Sequence, residues 1–251
     1  MGKTPLEIQK IRHLCENDLK FLCTIVLGME PWSDDVHGGL AKIMDNDVPM
    51  KLILVPRGHW KSSVVTVAWS IQQLLRNPNI RILITNAVWD MARDFLSQIV
   101  GFLTTKSILP ELYGPFNGPG SRFTIDDITI AQRTKGTIKE PTITTAGMDT
   151  TLTGGHYDII IHDDLVEEHT VNTPDQIRKT IRFYENSLDL LDPGCKMAIV
   201  GTRWAIGDLY GHLMDTQMTE LNGIKITPDE RIHWRDILAK SVARKKAGIT
   251  I

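Results

Sequence analysis

The sequence predicts an α/β fold: a mainly parallel sheet with helices on both faces, preceded by a small helical N-terminal subdomain. Two patterns and the composition lead there. Short continuous apolar runs at 52–55, 80–85, 159–161 and 197–200 are what strands buried on both sides look like. Between them, 63–76, 88–103 and 176–190 carry apolar residues at helical spacing. The chain has 251 residues, 42% hydrophobic and 23% charged, an ordinary globular balance with enough apolar side chains for a sizeable core.

Each element has a local reason. Thr4-Pro5-Leu6-Glu7 reads as a helix start, with Thr as N-cap, Pro at the first helical position and Glu closing a capping box. Ile8, Ile11, Leu14, Leu22, Ile25 and Val26 continue a helical stripe that fades near Gly28. Pro31-Trp32-Ser33-Asp34 punctuates, a short helix is expected over 36–44, and Asp45-Asn46-Asp47-Val48-Pro49 is a loop before the first buried strand. The helix 63–76, apolar at Val64, Val65, Val67, Ala68, Ile71, Leu74 and Leu75, stops at Asn77-Pro78. The Gly- and Pro-rich stretch 114–120 is a loop, and 123–130 and 142–146 are candidate strands. No internal repeat or low-complexity segment interrupts this order.

A formal charge of −2 argues against a general nucleic-acid coat but leaves room for a local basic groove. Arg231, Arg235, Lys240, Arg244, Lys245 and Lys246 face Asp236 alone, a cluster that fits a solvated helix end as well as a binding face. Cys15, Cys23 and Cys195 form no CxxC pair and no zinc spacing, which points to a reducing cytosol. The N-terminus has no signal-peptide core, Met1-Gly2 alone is no argument for myristoylation, and no run approaches the roughly 18 apolar residues of a membrane span. A soluble protein without membrane partners is expected.

The chemistry concentrates in residues 52–63. There an apolar run ends in Pro56-Arg57-Gly58, and Lys61-Ser62 opens an amphipathic segment. This is the strand–loop–helix layout of a phosphate-binding loop, in which backbone N–H groups cradle phosphates, the Lys reaches the β/γ-phosphates and the Ser hydroxyl ligates Mg²⁺. Standing alone, the pattern could be a surface turn that holds a lysine. A second element is the apolar strand ending Ile161-His162-Asp163-Asp164. One carboxylate of such a pair holds Mg²⁺, directly or through water, and its neighbour orients the attacking water. Solvated acids at a strand end are the plainer alternative. The two halves stand about 100 residues apart in the expected order, and each strengthens the other. His162, Asp163, Asp164 and His169 also suggest a metallohydrolase centre, but no HExxH or similarly spaced partner accompanies them. Third, Val200-Gly201-Thr202-Arg203-Trp204 puts a polar residue at a strand end, where it could sense a γ-phosphate. The cationic finger that phosphoryl transfer needs could be Arg57, Arg122, Arg133 or Arg203, and the sequence leaves that open.

The order of these motifs closely resembles the ATPase half of tailed-bacteriophage terminase large subunits, the motor that packages DNA into proheads. The resemblance runs over about residues 30–210, through Pro56-Arg57-Gly58-His59-Trp60-Lys61-Ser62, Ile82-Leu83-Ile84-Thr85-Asn86-Ala87, Leu152-Thr153-Gly154-Gly155-His156-Tyr157-Asp158, Ile161-His162-Asp163-Asp164 and Gly201-Thr202-Arg203-Trp204. It implies a P-loop NTPase of the additional-strand, catalytic-glutamate type, with ATP and Mg²⁺ as cofactors. On this resemblance Lys61, Asp163, Asp164 and Arg57 form the catalytic set. Gly58, His59, Trp60, Lys61, Ser62, Ser63 and Thr202 surround the nucleotide, and Ser62 and Asp163 hold the metal. Arg57 with Gly58 shapes the loop, Asp163 matches the Walker B aspartate, and Asp164 falls where many relatives carry the catalytic glutamate. Thr202 lies in a segment resembling the motif that couples hydrolysis to domain movement, and Trp32 or His37 would contact the adenine. The implied partners are double-stranded DNA, a portal protein, a small terminase subunit and further copies of the chain in a ring on the prohead, in the host cell cytoplasm. The implied organisation is a helical subdomain over 1–48, an ATPase core over 49–210 and a segment 211–251 leading toward a nuclease domain.

Two departures from the family pattern stand out. Trp60 replaces the loop glycine, and if that position needs a left-handed backbone, the side chain costs roughly 1–2 kcal/mol, on the order of a tenfold loss in affinity. An indole filling the phosphate pocket would cost far more. Only about 45 residues follow Trp204, too few for the ribonuclease-H-like nuclease of the family, so a motor domain or fragment without DNA cleavage is expected. The alternative function is a nucleotide- or DNA-binding scaffold with impaired hydrolysis. A helicase-like or small-molecule kinase reading lacks a second motif set or a lid signature.

Overall fold

The computed structural model describes residues 3–152, 154–205 and 207–214. The basic cluster 231–246, nearly all of the expected segment 211–251, and Thr153 lie outside them.

Seven strands form one sheet: β1 (Met50–Leu54), β2 (Ile82–Asn86), β3 (Arg122–Phe123), β4 (Asp127–Thr129), β5 (Ile143–Gly147), β6 (Tyr157–Asp163) and β7 (Leu191–Gly201), in the order β1-β7-β6-β2-β5-β4-β3. Strands β1, β7, β6, β2 and β5 are parallel, and β4 and β3 close one edge as an antiparallel hairpin. The chain is thus α/β with a mostly parallel seven-stranded sheet. One strand, β7, separates β1 from β6.

Alternation along the strands divides the core in two. Ile82, Ile84, Ile159, Ile161, Ala198 and Val200 face a layer built from α1 (Pro5–Asn17), α2 (Leu19–Phe21), α3 (His37–Asp45), α4 (Trp69–Arg76), α5 (Trp89–Thr104) and α6 (Leu109–Tyr113). Leu83, Ile160, Met197 and Ile199 face α7 (Pro174–Leu188) and α8 (Leu209–His212). Helices therefore cover both faces, as the unbroken apolar runs required. The helices before β1 contribute Cys15, Leu19, Leu22, Leu40 and Met44 to the same buried cluster as α4 and α5. None of the helices among the described residues is long and apolar enough to cross a membrane.

Several boundaries differ from the sequence reading. The first helix ends at Asp18, whose backbone N–H closes on Leu14 while its carboxylate accepts from Phe21 N–H at 2.9 Å and starts α2. The segment 63–76 opens with a π-helical stretch, Ser63–Ala68, before α4. The expected strand 123–130 is two short strands, because Thr124 turns the chain by accepting from the Asp126 and Asp127 N–H groups. Strand β7 starts at Leu191, well before its apolar run, and α6 was not anticipated.

Candidate functional site

Because β1, β7 and β6 are parallel, their carboxyl ends lie together at one edge of the sheet, the place where open α/β sheets bind ligands. Three of the sequence motifs converge there. The loop after β1 begins the next helix directly: Val64 N–H donates to Trp60 C=O at 3.0 Å, so the first-turn N–H groups around Lys61, Ser62 and Ser63 start with no intrahelical acceptor. Gly58 has φ 81° and Trp60 φ 53°, both left-handed. For glycine that is free, but Trp60 is held there at a cost of roughly 1–2 kcal/mol. Its half-buried ring packs on His37 of α3, centroids 5.9 Å apart, and His37 packs on Trp32 at 5.2 Å. The indole is thus taken up by the helical layer, and the strained conformation foreseen for this position is the one the loop adopts. His59 is buried with its Nδ1 turned back to the Pro56 and Arg57 carbonyls at 3.2 and 3.1 Å, so its side chain braces the loop.

Lys61 is nearly inaccessible. Its ammonium donates to Asp164 Oδ2 at 3.0 Å and to Thr202 Oγ1 at 3.2 Å, while Thr202 donates to Val55 C=O at 3.1 Å. One cation therefore joins the loop after β1 to the ends of β6 and β7. Ser62 Oγ donates to Asp163 Oδ1 at 2.9 Å, and Thr66 Oγ1 donates to Asp163 Oδ2. Asp163 is completely buried, and burial pushes its carboxyl up to about 6, with the Asp164 charge adding to the rise and the Thr66 and Ser62 hydroxyls and Lys61 opposing it. Asn86, paired with Asp163 across β2 and β6, donates to the Asp163 carbonyl at 2.8 Å and accepts from Val88 N–H at 2.8 Å.

Asp164 has φ 46°, and its Oδ1 is buried without a hydrogen-bond partner. An orphaned carboxylate oxygen beside a serine hydroxyl and a second carboxylate is a donor set suited to a hard divalent cation and its waters. Among the described residues no group of three or more His, Cys, Asp or Glu side chains is arranged to hold a metal. Such a cation would therefore rely on Ser62, one or both carboxylates, waters and phosphate oxygens.

His162 does not join this site. Its ring lies among Phe183 and Tyr184 on the other face of the sheet, with Nδ1 2.6 Å from Thr85 Oγ1 and Nε2 2.9 Å from Ser187 Oγ. Ser187 gives its own proton to Tyr184 C=O, so His162 Nε2 carries the hydrogen and Nδ1 accepts from Thr85. Burial depresses its pKa to about 3, which keeps it neutral, and His169 is exposed on a separate short 3-10 turn. The metallohydrolase constellation is not assembled.

The candidate fingers divide. Arg57 is exposed, with its guanidinium 4.8 Å above the Trp204 ring, beside a cleft of about 340 Å³ also lined by Glu167, Glu168, His169 and Asn172. Arg203 follows Thr202 directly. Arg133 is bound to the Ile80 and Glu140 carbonyls near the amino end of β2, and Arg122 pairs with Asp127 on the far sheet edge. Sequence reasoning missed Thr66, the roles of Asn86, and Asp208, whose carboxylate accepts from Trp204, Ala205 and Gly211 N–H groups and ties the loop after β7 to α8. Only the Asp208 cap has a local signature, an acid just before a helix. Searches against protein-family models and against curated proteins return no match.

Proposed function

We propose that this chain is a P-loop ATPase that hydrolyses Mg-ATP, and that it serves as the motor domain of a DNA-packaging terminase. The observation that carries the reading is the convergence of Lys61, Ser62, Asp163, Asp164 and Thr202, from three parallel strand ends, into one contact network. One strand between the loop-bearing β1 and the carboxylate-bearing β6 supports the additional-strand type. The motif order supports the terminase assignment, and with it double-stranded DNA, a portal protein, a small terminase subunit and a ring of copies as partners in the host cytoplasm.

Each residue has a role in this reading. The loop and first-turn N–H groups receive the phosphates, and Lys61 leaves Asp164 to neutralise them. Once released, Asp164 offers a free oxygen to orient the attacking water. Ser62 and Asp163 would hold Mg²⁺, which would supply charge neutralisation on the phosphate oxygens. Thr202, hydrogen-bonded to Lys61, registers whether the lysine is on Asp164 or on phosphate.

The scaffold reading keeps one observation in its favour, the strained Trp60 in the loop. Steady-state ATP hydrolysis separates the two, with Lys61→Ala as control. Turnover that disappears in the variant is expected. A wild-type rate equal to that of Lys61→Ala, with DNA present, overturns the ATPase reading.

A further inference from the structure

Thr66 has no place in the motif pattern, yet it is the second hydroxyl on Asp163. Residues 64–68 are Val-Val-Thr-Val-Ala, all fully buried on the helical side of the sheet. In such a run a valine, isosteric with threonine, would meet no desolvation cost, whereas a buried hydroxyl must find a partner. Thr66 finds Asp163 Oδ2. It follows Ser62 by about one helical turn, so one helix supplies a donor to each oxygen of the same carboxylate. The stretch is π-helical, a geometry found frequently at functional sites.

The two donors are not equivalent. Ser62 is half-buried at the mouth of the loop, but Thr66 is inaccessible. With Oδ2 held by Thr66 inside the core, and the Asp163 backbone pinned by Asn86, rotating the carboxylate to offer both oxygens outward would break the Thr66 bond. We infer that Thr66 is a positioning residue that fixes the Asp163 carboxylate so that Oδ1 alone faces Ser62 and the metal–nucleotide complex. The inference rests on the nucleotide reading above and names what sets the response of that site to its cation.

The test is binding of a fluorescent N-methylanthraniloyl ATP analogue to the purified chain, titrated with Mg²⁺ and repeated in EDTA, with melting curves in parallel. Outer-shell partners of metal ligands typically contribute 10–100-fold in metal affinity, so Thr66→Val should raise the half-saturating Mg²⁺ about tenfold. Binding in EDTA should stay unchanged. Thr66→Ser should restore the wild-type response, and Thr66→Cys, a weak donor, should fall between Ser and Val. That order follows donor strength, which a purely structural role would not reproduce, and the Ser and Cys variants carry the test if Thr66→Val does not fold. Equal Mg²⁺ dependence in all variants, or equal weakening with and without Mg²⁺, overturns the inference while leaving the nucleotide reading intact. A wild-type chain that binds no analogue at all overturns both.

Discussion

Strand β6 carries an aspartate near each end, and the two are treated in opposite ways. At the amino end, Asp158 is held by Arg81 through both oxygens, at 2.6 and 3.0 Å, and Arg81 also pairs with Asp192 at 2.7 Å, which in turn meets His156 at 3.0 Å. Every charge there has an opposite partner. At the carboxyl end, Asp163 is buried with hydroxyls alone, Asp164 adopts a left-handed backbone with one oxygen unpartnered, and a single lysine serves the pair. The same strand thus has one end whose carboxylates are fully engaged near the surface and one that buries a carboxylate and leaves an oxygen of its neighbour unpartnered. A buried unpartnered oxygen and backbone strain persist only where the surroundings enforce them, and such features cluster at ligand sites, which is why they support the proposed one.

The comparison breaks first at Asp164. On the proposed ATPase reading, replacing it with Asn preserves shape but removes the water-orienting carboxylate, so turnover should fall by roughly 10²–10⁴-fold while the protein still unfolds cooperatively. Residual turnover within a few fold of wild type would move the water-orienting role elsewhere, to Glu167 or Glu168 beside the cleft. The next effect belongs to Asp163. Folded, it keeps its proton up to about pH 6, against the ordinary 3.8. Between those values the native state binds more protons than the unfolded chain, so its contribution favours folding below about pH 4 and is lost as the pH rises through about 6. Asp163→Asn should remove that slope in metal-free protein and leave it more stable than wild type at pH 7, by up to about 2–3 kcal/mol. Urea titrations at pH 4 and pH 7 give the answer. At the other end of β6 the sign reverses. Arg81→Ala strands Asp158 and should destabilise by about 2 kcal/mol, less than the roughly 3–5 kcal/mol of a fully buried pair, with turnover per folded molecule unchanged. A loss of turnover there would mean that the two ends are not independent.

How legible these regions were follows from the range of their interactions. The strands that hold the site read clearly because burial on both faces makes them unbroken apolar runs, and Lys61-Ser62 and Asp163-Asp164 read because their chemistry is local to short motifs. The polar start of β7 did not read as strand: β6 pairs with Leu191 and Lys196, the residues between them fall in a register shift, and the Asp192 salt bridge to Arg81 ties that stretch down. Five-residue α6 is too short to show a helical period. Thr66 gives no signal in the sequence, since its partner Asp163 lies 97 positions away and no local spacing encodes that contact. Arg122 and Arg133 could be dropped as neighbours of the site only once the strand order separated the sheet edges and ends.

The smallest effect concerns Trp60, where a strained backbone and a favourable side-chain contact occupy one residue. Replacing it with Gly or with Ala removes the ring from His37 in both cases, so the packing loss cancels in the comparison. What remains is the backbone at φ 53°. Alanine keeps the left-handed penalty of roughly 1–2 kcal/mol, glycine relieves it, and glycine's greater unfolded-state entropy returns about 0.5–1 kcal/mol of that. Trp60→Gly should therefore be more stable than Trp60→Ala by about 0.5–1 kcal/mol, a difference of a few degrees in Tm. Equal or reversed stabilities would mean that the loop relaxes once the indole is gone. The strain would then be imposed by the ring's seat on the helical layer, and the loop itself would not require a left-handed residue before Lys61.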